Sequence, residues 1–386
     1  MGKHLVLVGG GHAHLTVLVN LATYIERGHR VTLIGPSPYH YYSGMGPGLL
    51  SGIYRPQDVR FHVKKMAEDR GATFVEDSVV RINPFRKTLD LRSASPVAYD
   101  IVSFNTGSDV PLSGLVAERP ENIVPVKPVF NLLHAQRLIV PSLKERPMSF
   151  TVIGGGPAGL EVTANLWRLV NQNGGNATIK LIAGRKLLAT LPEKVRDLAL
   201  RSLAKRGITV IEGNRVKEVT GNEIRMADGS SLPFDFAFMA LGVQPSRIFS
   251  DSRIPTGAEG GLLVNSFLQS VAHPELFGGG DCISLADRPL AKVGVYAVRQ
   301  NPILYHNLLA ALEGREMKTF IPQKDYMLIF NMGNGRGILW KKNFVYEGRL
   351  AFLLKDYIDR RFMRKFQVTG ELDEDENQVA SPQKPK

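Results

Sequence analysis

Apolar residues in this chain gather in short runs that end in glycine, and the pattern repeats. Leu5-Val6-Leu7-Val8 runs into Gly9-Gly10-Gly11, and Phe150-Thr151-Val152-Ile153 runs into Gly154-Gly155-Gly156. Each is followed by a helical stretch (15–27 and 160–171) and a second short strand (31–34 and 178–182). The order is strand, helix, strand, twice. Each unit has a later echo, an apolar strand opened by an acid and closed by glycine: Asp100 to Asn105-Thr106-Gly107, and Asp235 to Gly242. A further strand-like run, Leu276 to Asp281, precedes a helical segment over 295–313. Two nucleotide-binding folds are implied.

The chain has 386 residues, which at roughly 150 per domain predicts two domains and an appendage. With 44% hydrophobic and 22% charged residues the composition is that of a globular protein and argues against collagen or disorder. Cys282 is the single cysteine, so no intrachain disulfide, no cysteine zinc site and no dithiol relay can form, and a reducing compartment is expected. The first residues lead directly into a strand, leaving no room for a secretory signal. No apolar run approaches the 18 or so residues that span a bilayer.

Glycines after a strand permit a tight turn and close backbone approach, so that the free N–H groups of the following helix can hold a pyrophosphate. Gly154-x-Gly156-x-x-Gly159 fits this fingerprint completely, with Pro157, Ala158 and Glu161 beside it. Gly9-x-Gly11-x-x-His14 places histidine where the third glycine would allow close helix packing. The ribose-binding acid at the end of the second strand is absent from both units: Ile34 precedes Gly35, and Ile182 precedes Ala183-Gly184-Arg185-Lys186. Arg185 and Lys186 are either contacts for a 2′-phosphate, favouring NADPH, or a solvated cation pair. His12, His14 and His40 have no carboxylate or thiol at ligand spacing, so no metal is expected.

These features resemble the two-dinucleotide-binding-domain flavoproteins of the pyridine nucleotide-disulfide oxidoreductase superfamily, in the type II NADH dehydrogenase-like branch. The likeness spans about residues 3–366. Gly9 to His14, Tyr42-Ser43-Gly44-Met45, Lys292 to Gln300 and Ile358 to Met363 are similar to the FAD-dependent module found fused ahead of selenide, water dikinase. The resemblance implies FAD at the first repeat, held by Gly9, Gly11, His12, Ala13, Ser43, Thr106 and Gly107, with Asp281 on the ribityl chain and Gly294, Val295 and Tyr296 at a helix N-terminus facing the ring. It implies NAD(P)H at the second, held by Gly154, Gly156, Pro157, Ala158, Gly159, Glu161, Arg185 and Gly242. Tyr41 to Gly44 stand where disulfide reductases carry thiols, so electrons are expected to leave the flavin directly, to a quinone-like acceptor near Lys292 and Gln300. Cys282 is read as packed rather than reactive, and Asp281 has the alternative of capping the next helix.

Charge adds a last feature. Arg315 to Phe366 holds twelve Lys/Arg against five Asp/Glu, seven of the net +12 of the chain. Leu350, Leu353, Leu354, Tyr357, Ile358, Phe362 and Phe366 follow helical spacing, with Lys355, Arg360, Arg364 and Lys365 on other faces. Such a helix (349–366) either lies on an anionic membrane surface or packs its stripe on the body or on a second subunit, which leaves a homodimer open. Nucleic acid is not expected, because the basic residues lack interleaved aromatics. The fold class is α/β: two Rossmann-like domains, FAD-binding over 1–112 and 254–320, with an NAD(P)H-binding domain inserted over 113–253, then a C-terminal module (321–370) and a disordered tail (371–386). The expected function is FAD-dependent NAD(P)H oxidation with a quinone-like acceptor, in the cytoplasm or peripheral on the inner face of the cell membrane. A flavoenzyme of sulfur or selenium metabolism and a non-catalytic redox sensor are the alternatives.

Overall fold

The computed structural model describes residues 2–116 and 120–374. It contains two five-stranded parallel sheets. In the first, the strands run in the order Leu276–Gly278, Ile101–Phe104, His4–Val8, Arg30–Gly35 and Thr73–Glu76. In the second the order is Ile123–Pro125, Phe236–Met239, Met148–Ile153, Ala177–Gly184 and Thr209–Glu212. Both repeats thus place the glycine-ended strand at the centre, and the acid-opened echo pairs directly with it: Leu5 to Val8 lie against Ile101 to Phe104, and Phe150 to Ile153 against Phe236 to Met239. The central strand His4–Val8 is buried along its whole length, as a parallel strand covered on both faces must be.

The helix expected over 15–27 is divided into Leu15–Val19 and Leu21–Glu26. Asn20 makes the break: its Nδ2 donates to the Thr16 carbonyl, giving the backbone a local alternative to the helical ladder. By contrast Pro157–Gln172 is continuous, with proline at its first position, where no N–H is needed. The long helix Gly294–Glu313 ends at Gly314 in the left-handed conformation.

Residues beyond 327 form an antiparallel sheet, Leu328–Asn331, Gly337–Lys341 and Phe344–Gly348, and then the helix Arg349–Phe366. The sheet sits on the helix Pro157–Gln172. Gly333 (φ +73°) lies so close to it that a Cβ there would fall 2.2 Å from the Ala164 carbonyl oxygen. The terminal helix lies across the first domain, with Phe362 and Phe366 set edge-on to Phe61 at 6.1 and 6.4 Å. Its stripe is therefore split: Phe362, Met363 and Phe366 pack on the body, while Leu350 (68%), Leu353 (57%) and Tyr357 (54%) are exposed. No helix among the described residues is long and apolar enough to cross a membrane. The tail differs from expectation over 371–374, because Glu371–Asp373 form a 3₁₀ turn with Glu371 buried; residues 375–386 lie outside the described residues.

Since backbone, not a flexible side chain, faces Gly333, Gly333→Ala should destabilise the protein by about 1–3 kcal/mol. Chemical unfolding measures this, and an unchanged midpoint would show that the hairpin is not held against the second domain.

Candidate functional site

The first glycine turn is built around Asn105. Gly9 adopts φ +86°, and a Cβ on Gly11 would lie 2.3 Å from Asn105 Oδ1. The same oxygen accepts the Ala13 N–H at 2.9 Å, and Asn105 Nδ2 donates to the Gly279 carbonyl at 2.6 Å. One amide therefore joins the turn after the first strand to the turn before Asp281. His14 fills the space of the absent third glycine. It is fully buried, lies 2.6 Å through Nδ1 from the Gly9 carbonyl and 2.8 Å through Nε2 from Ser103 Oγ, and so carries its proton on Nδ1.

Asp281 is set by three neighbours. Gly280, at φ +76°, donates its N–H to Gln300 Oε1 at 2.7 Å. Ser108 Oγ and Lys127 Nζ each donate to Asp281 Oδ2 at 2.8 Å. Burial alone would raise the carboxyl, yet the Lys127 ammonium and the Ser108 hydroxyl hold it below the usual carboxylate range. Gln300 acts on the turn, and the Lys292 ammonium is spent on the Ile283 carbonyl (2.6 Å) and Glu259 (3.0 Å). The helix beginning at Gly294 and Val295 has no side-chain cap, while the Tyr296 N–H turns back to the Val293 carbonyl. Thr106 and Gly107 follow the adjoining strand, with Gly107 open at φ +70°. Cys282 is fully buried against the Phe104 and Gly279 carbonyls, and burial pushes its thiol up, which makes it unreactive.

His12 and His40 face each other at 5.0 Å, and Tyr42 lies 5.1 Å from His12. Burial drives His12 down to about 4 and His40 to about 3, so both are neutral, and neither Nε2 has a protein partner. Orphaned buried nitrogens, glycine turns that exclude side chains and an uncapped helix N-terminus make a cradle that suits a bound pyrophosphate and polar ring.

At the second turn Gly154 takes φ +138°, and a Cβ on Gly159 would fall 1.8 Å from the Gly154 carbonyl, whereas one on Gly156 would meet nothing within 4 Å. Gly154 and Gly159 thus serve packing, and Gly156, with the exposed Pro157, Ala158 and Gly242, forms the open rim. Arg185 is exposed on that rim, and Lys186 is paired with Glu193 at 2.8 Å.

Glu161 points elsewhere than its motif suggested. Its Oε1 accepts the Asn331 N–H at 2.7 Å, from the C-terminal sheet, and burial raises its carboxyl to about 7 despite Lys355. Lys355 Nζ donates to the Gly44 carbonyl (2.7 Å) and to Asp359 Oδ2 (2.6 Å), and the Tyr42 hydroxyl donates to Asp359 Oδ1 (3.1 Å). Burial works against the Lys355 charge, but Asp359 and Glu161 outweigh it and hold the ammonium above its ordinary range. Next to Ser43, first, second and C-terminal segments thus meet in one buried charged cluster. Of its members only Glu161 was named as a site residue from the sequence, while Lys355 stood among the cations flanking the apolar stripe of the terminal helix; Lys127, at Asp281, belonged to no motif.

Two parallel sheets, each presenting an open glycine turn beneath a helix, define a protein with paired dinucleotide sites. A sequence profile of the pyridine nucleotide-disulphide oxidoreductase family matches residues 3–307, and the chain belongs to that family of FAD- and NAD(P)H-dependent oxidoreductases. A nitrite reductase (NAD(P)H) of Bacillus subtilis is 23% identical over 290 residues, covering 72% of this chain but only 34% of that protein. A probable NADH dehydrogenase of Dictyostelium discoideum is 21% identical over 386 residues, covering 91% of this chain and 83% of its own. The structure of Plasmodium falciparum NDH2 in complex with NADH shares the fold at a TM-score of 0.80 and 14% identity, over 96% of both chains.

Histidines free to protonate in the unfolded chain near pH 6.5 resist it in the native protein until about 4 (His12, His14) or about 3 (His40). The unfolded state then binds more protons, so stability present above pH 6.5 is lost as pH falls toward 4. His40→Phe, which stacks readily on Phe61, should flatten that loss by up to about 1.4 kcal/mol per pH unit, the worth of one proton. Denaturant titrations between pH 7 and 4.5 measure it; an unaltered slope would refute the assignment.

Proposed function

We propose that the protein oxidises NAD(P)H and passes two electrons through FAD to a quinone-like acceptor, without a thiol. The observation that carries this reading is the buried Glu161, Lys355, Asp359 and Tyr42 cluster, one ring removed from His12. Bound FAD supplies acceptance of hydride from the nicotinamide and release of the electrons to the second substrate.

The protein's part is position and charge. Gly9, Gly11 and Ala13 present the first turn to the pyrophosphate, Asp281 offers a carboxylate fixed by Lys127 and Gln300, and the uncapped N-terminus at Gly294 and Val295 favours negative charge on the ring. Gly156 and the exposed rim admit the pyridine nucleotide, and exposed Arg185 is placed for a 2′-phosphate. A quinone takes up two protons with its two electrons. Glu161, raised to about 7, holds a proton near neutrality on Oε2, the oxygen that Asn331 does not engage, and regains it from water, while the Lys355 ammonium keeps its own proton and its charge. Cys282, walled in, has no part in electron transfer.

The other face of the terminal helix fits an apolar acceptor. Leu350, Leu353, Leu354, Tyr357 and Ile358 are exposed there, beside Phe344 and Tyr346 of the sheet, with Arg349, Arg361 and Arg364 around them. This surface would rest in the headgroup region of an anionic membrane, each cation contributing on the order of 1 kcal/mol.

Purified holoprotein should show a flavin spectrum that NADH or NADPH bleaches anaerobically and a soluble quinone restores; absence of bleaching would overturn the proposal. Glu161→Gln should slow the quinone-dependent return by about tenfold or more, leaving flavin content intact. Leu353→Glu with Tyr357→Glu should abolish co-sedimentation with anionic vesicles without altering bleaching, and undiminished binding would remove the membrane role.

A further inference from the structure

The segment after the terminal helix is strapped across the first domain. Gln367 Nε2 donates to the Gln57 and Arg60 carbonyls (2.7 and 3.2 Å), and Gln57 Nε2 donates to the Glu374 carbonyl (2.7 Å). Beneath the strap lies Arg60, whose side chain is fully buried. In the two-rung ladder His40 pairs with Phe61 and Tyr41 with Arg60, so Arg60 projects from the face opposite the one that carries His40 toward the first nucleotide turn. The cofactor cradle and this second polar site are back to back.

Three side chains converge there on one carboxylate. Arg60 Nη2 donates to Glu374 Oε2 at 2.5 Å, the Tyr39 hydroxyl donates to the same oxygen at 3.1 Å, and His62 Nε2 lies 3.8 Å from Oε1. The guanidinium is stacked 4.0 Å over the Tyr39 ring. Yet Arg60 Nε and Nη1 make no hydrogen bond within normal geometry, nor do Gln57 Oε1, Glu371 Oε1 and the hydroxyl of Tyr41, which pairs with Arg60 in the ladder and feels its charge. A guanidinium offers five N–H donors in a fork suited to two oxygens of one anion, and leaving buried donors unmade is costly. Glu374 uses one arm of the fork. Burial pushes neighbouring Glu371 up to about 8, so near neutrality it is protonated and leaves Glu374 to balance the Arg60 charge.

We propose that Tyr39, Arg60 and His62 form a receptor for a phosphate-type oxyanion, and that Glu374 of the C-terminal strap holds the place of that anion in the closed chain. Displacement of Glu374 would free the strap, which is continuous with the helix carrying Lys355 and Asp359. The receptor is thereby linked to the charged cluster without sharing a residue with it. The shared chemistry is a phosphate monoester, free in solution or on a lipid headgroup.

The test titrates FAD-loaded full-length protein with inorganic phosphate at constant ionic strength, by calorimetry and thermal unfolding. Glu374→Ala should bind phosphate at least tenfold more tightly than the unaltered chain, and phosphate should raise its melting temperature more. Adding Tyr39→Phe should weaken that binding. Glu374→Gln, milder to the fold, should shift affinity in the same direction. Short-chain phosphatidate more than tenfold tighter than phosphate assigns a lipid headgroup, and parity assigns a free anion. Phosphate affinity of Glu374→Ala within twofold of the unaltered chain, or undiminished by Tyr39→Phe, would overturn the receptor and leave Glu374 a plain clasp.

Discussion

The amide of Asn105 is the constraint on which the first site depends. A dinucleotide cradle needs two turns from distant parts of the chain to approach within a hydrogen bond of each other, and each leaves backbone groups that cannot remain unpaired once buried. Asn105 accepts from one turn and donates to the other. A carboxylate could only accept and an ammonium only donate, so the asymmetry of an amide is what the position requires. His14 and Gln300 complete the same task at the two flanks, tying Gly9 to Ser103 and Gly280 to the long helix.

A different logic governs the seam. Lys355 and Asp359 are nearly buried, and removing two charges from water costs several kcal/mol each before any attraction is gained. Hydrophobic residues of like volume would serve stability as well or better. Their presence between Tyr42, Gly44 and Glu161 is accounted for by the proposed function, in which Glu161, titrating near 7, is the group that exchanges a proton and Lys355 keeps its charge beside it. The C-terminal module is then a wall of the site, supplying Asn331 to one carboxylate and Lys355 to another.

Much of the architecture was legible because its signals are local. Glycine spacing after a β-branched run located both turns, and the paired echoes located the neighbouring strands. What escaped depended on contacts distant in sequence. Asn20 broke a helix through a bond to Thr16 that periodicity does not register. Lys127 belonged to no motif, and only folding brings it to Asp281, 154 positions away. Lys292 and Gln300 lie beside the site, but their polar groups hold Ile283 and Gly280, which no spacing could reveal. The amphipathic helix was visible from its stripe, but which part of the stripe would meet the body was decided by Phe61.

That helix also carries a geometric stricture. Successive residues turn by about 100° around an α-helix, so Leu354 looks outward and Lys355 inward with a single peptide between them. Its rotational phase is set at Gly348, where the last strand passes directly into it. One residue added at that junction would bring Leu354 and Ile358 to the places of Lys355 and Asp359, and one removed would bring Asp356 and Arg360 there, so that either change turns the lysine and aspartate away from Tyr42. The segment can thus tolerate many exchanges of side chain but no change of length.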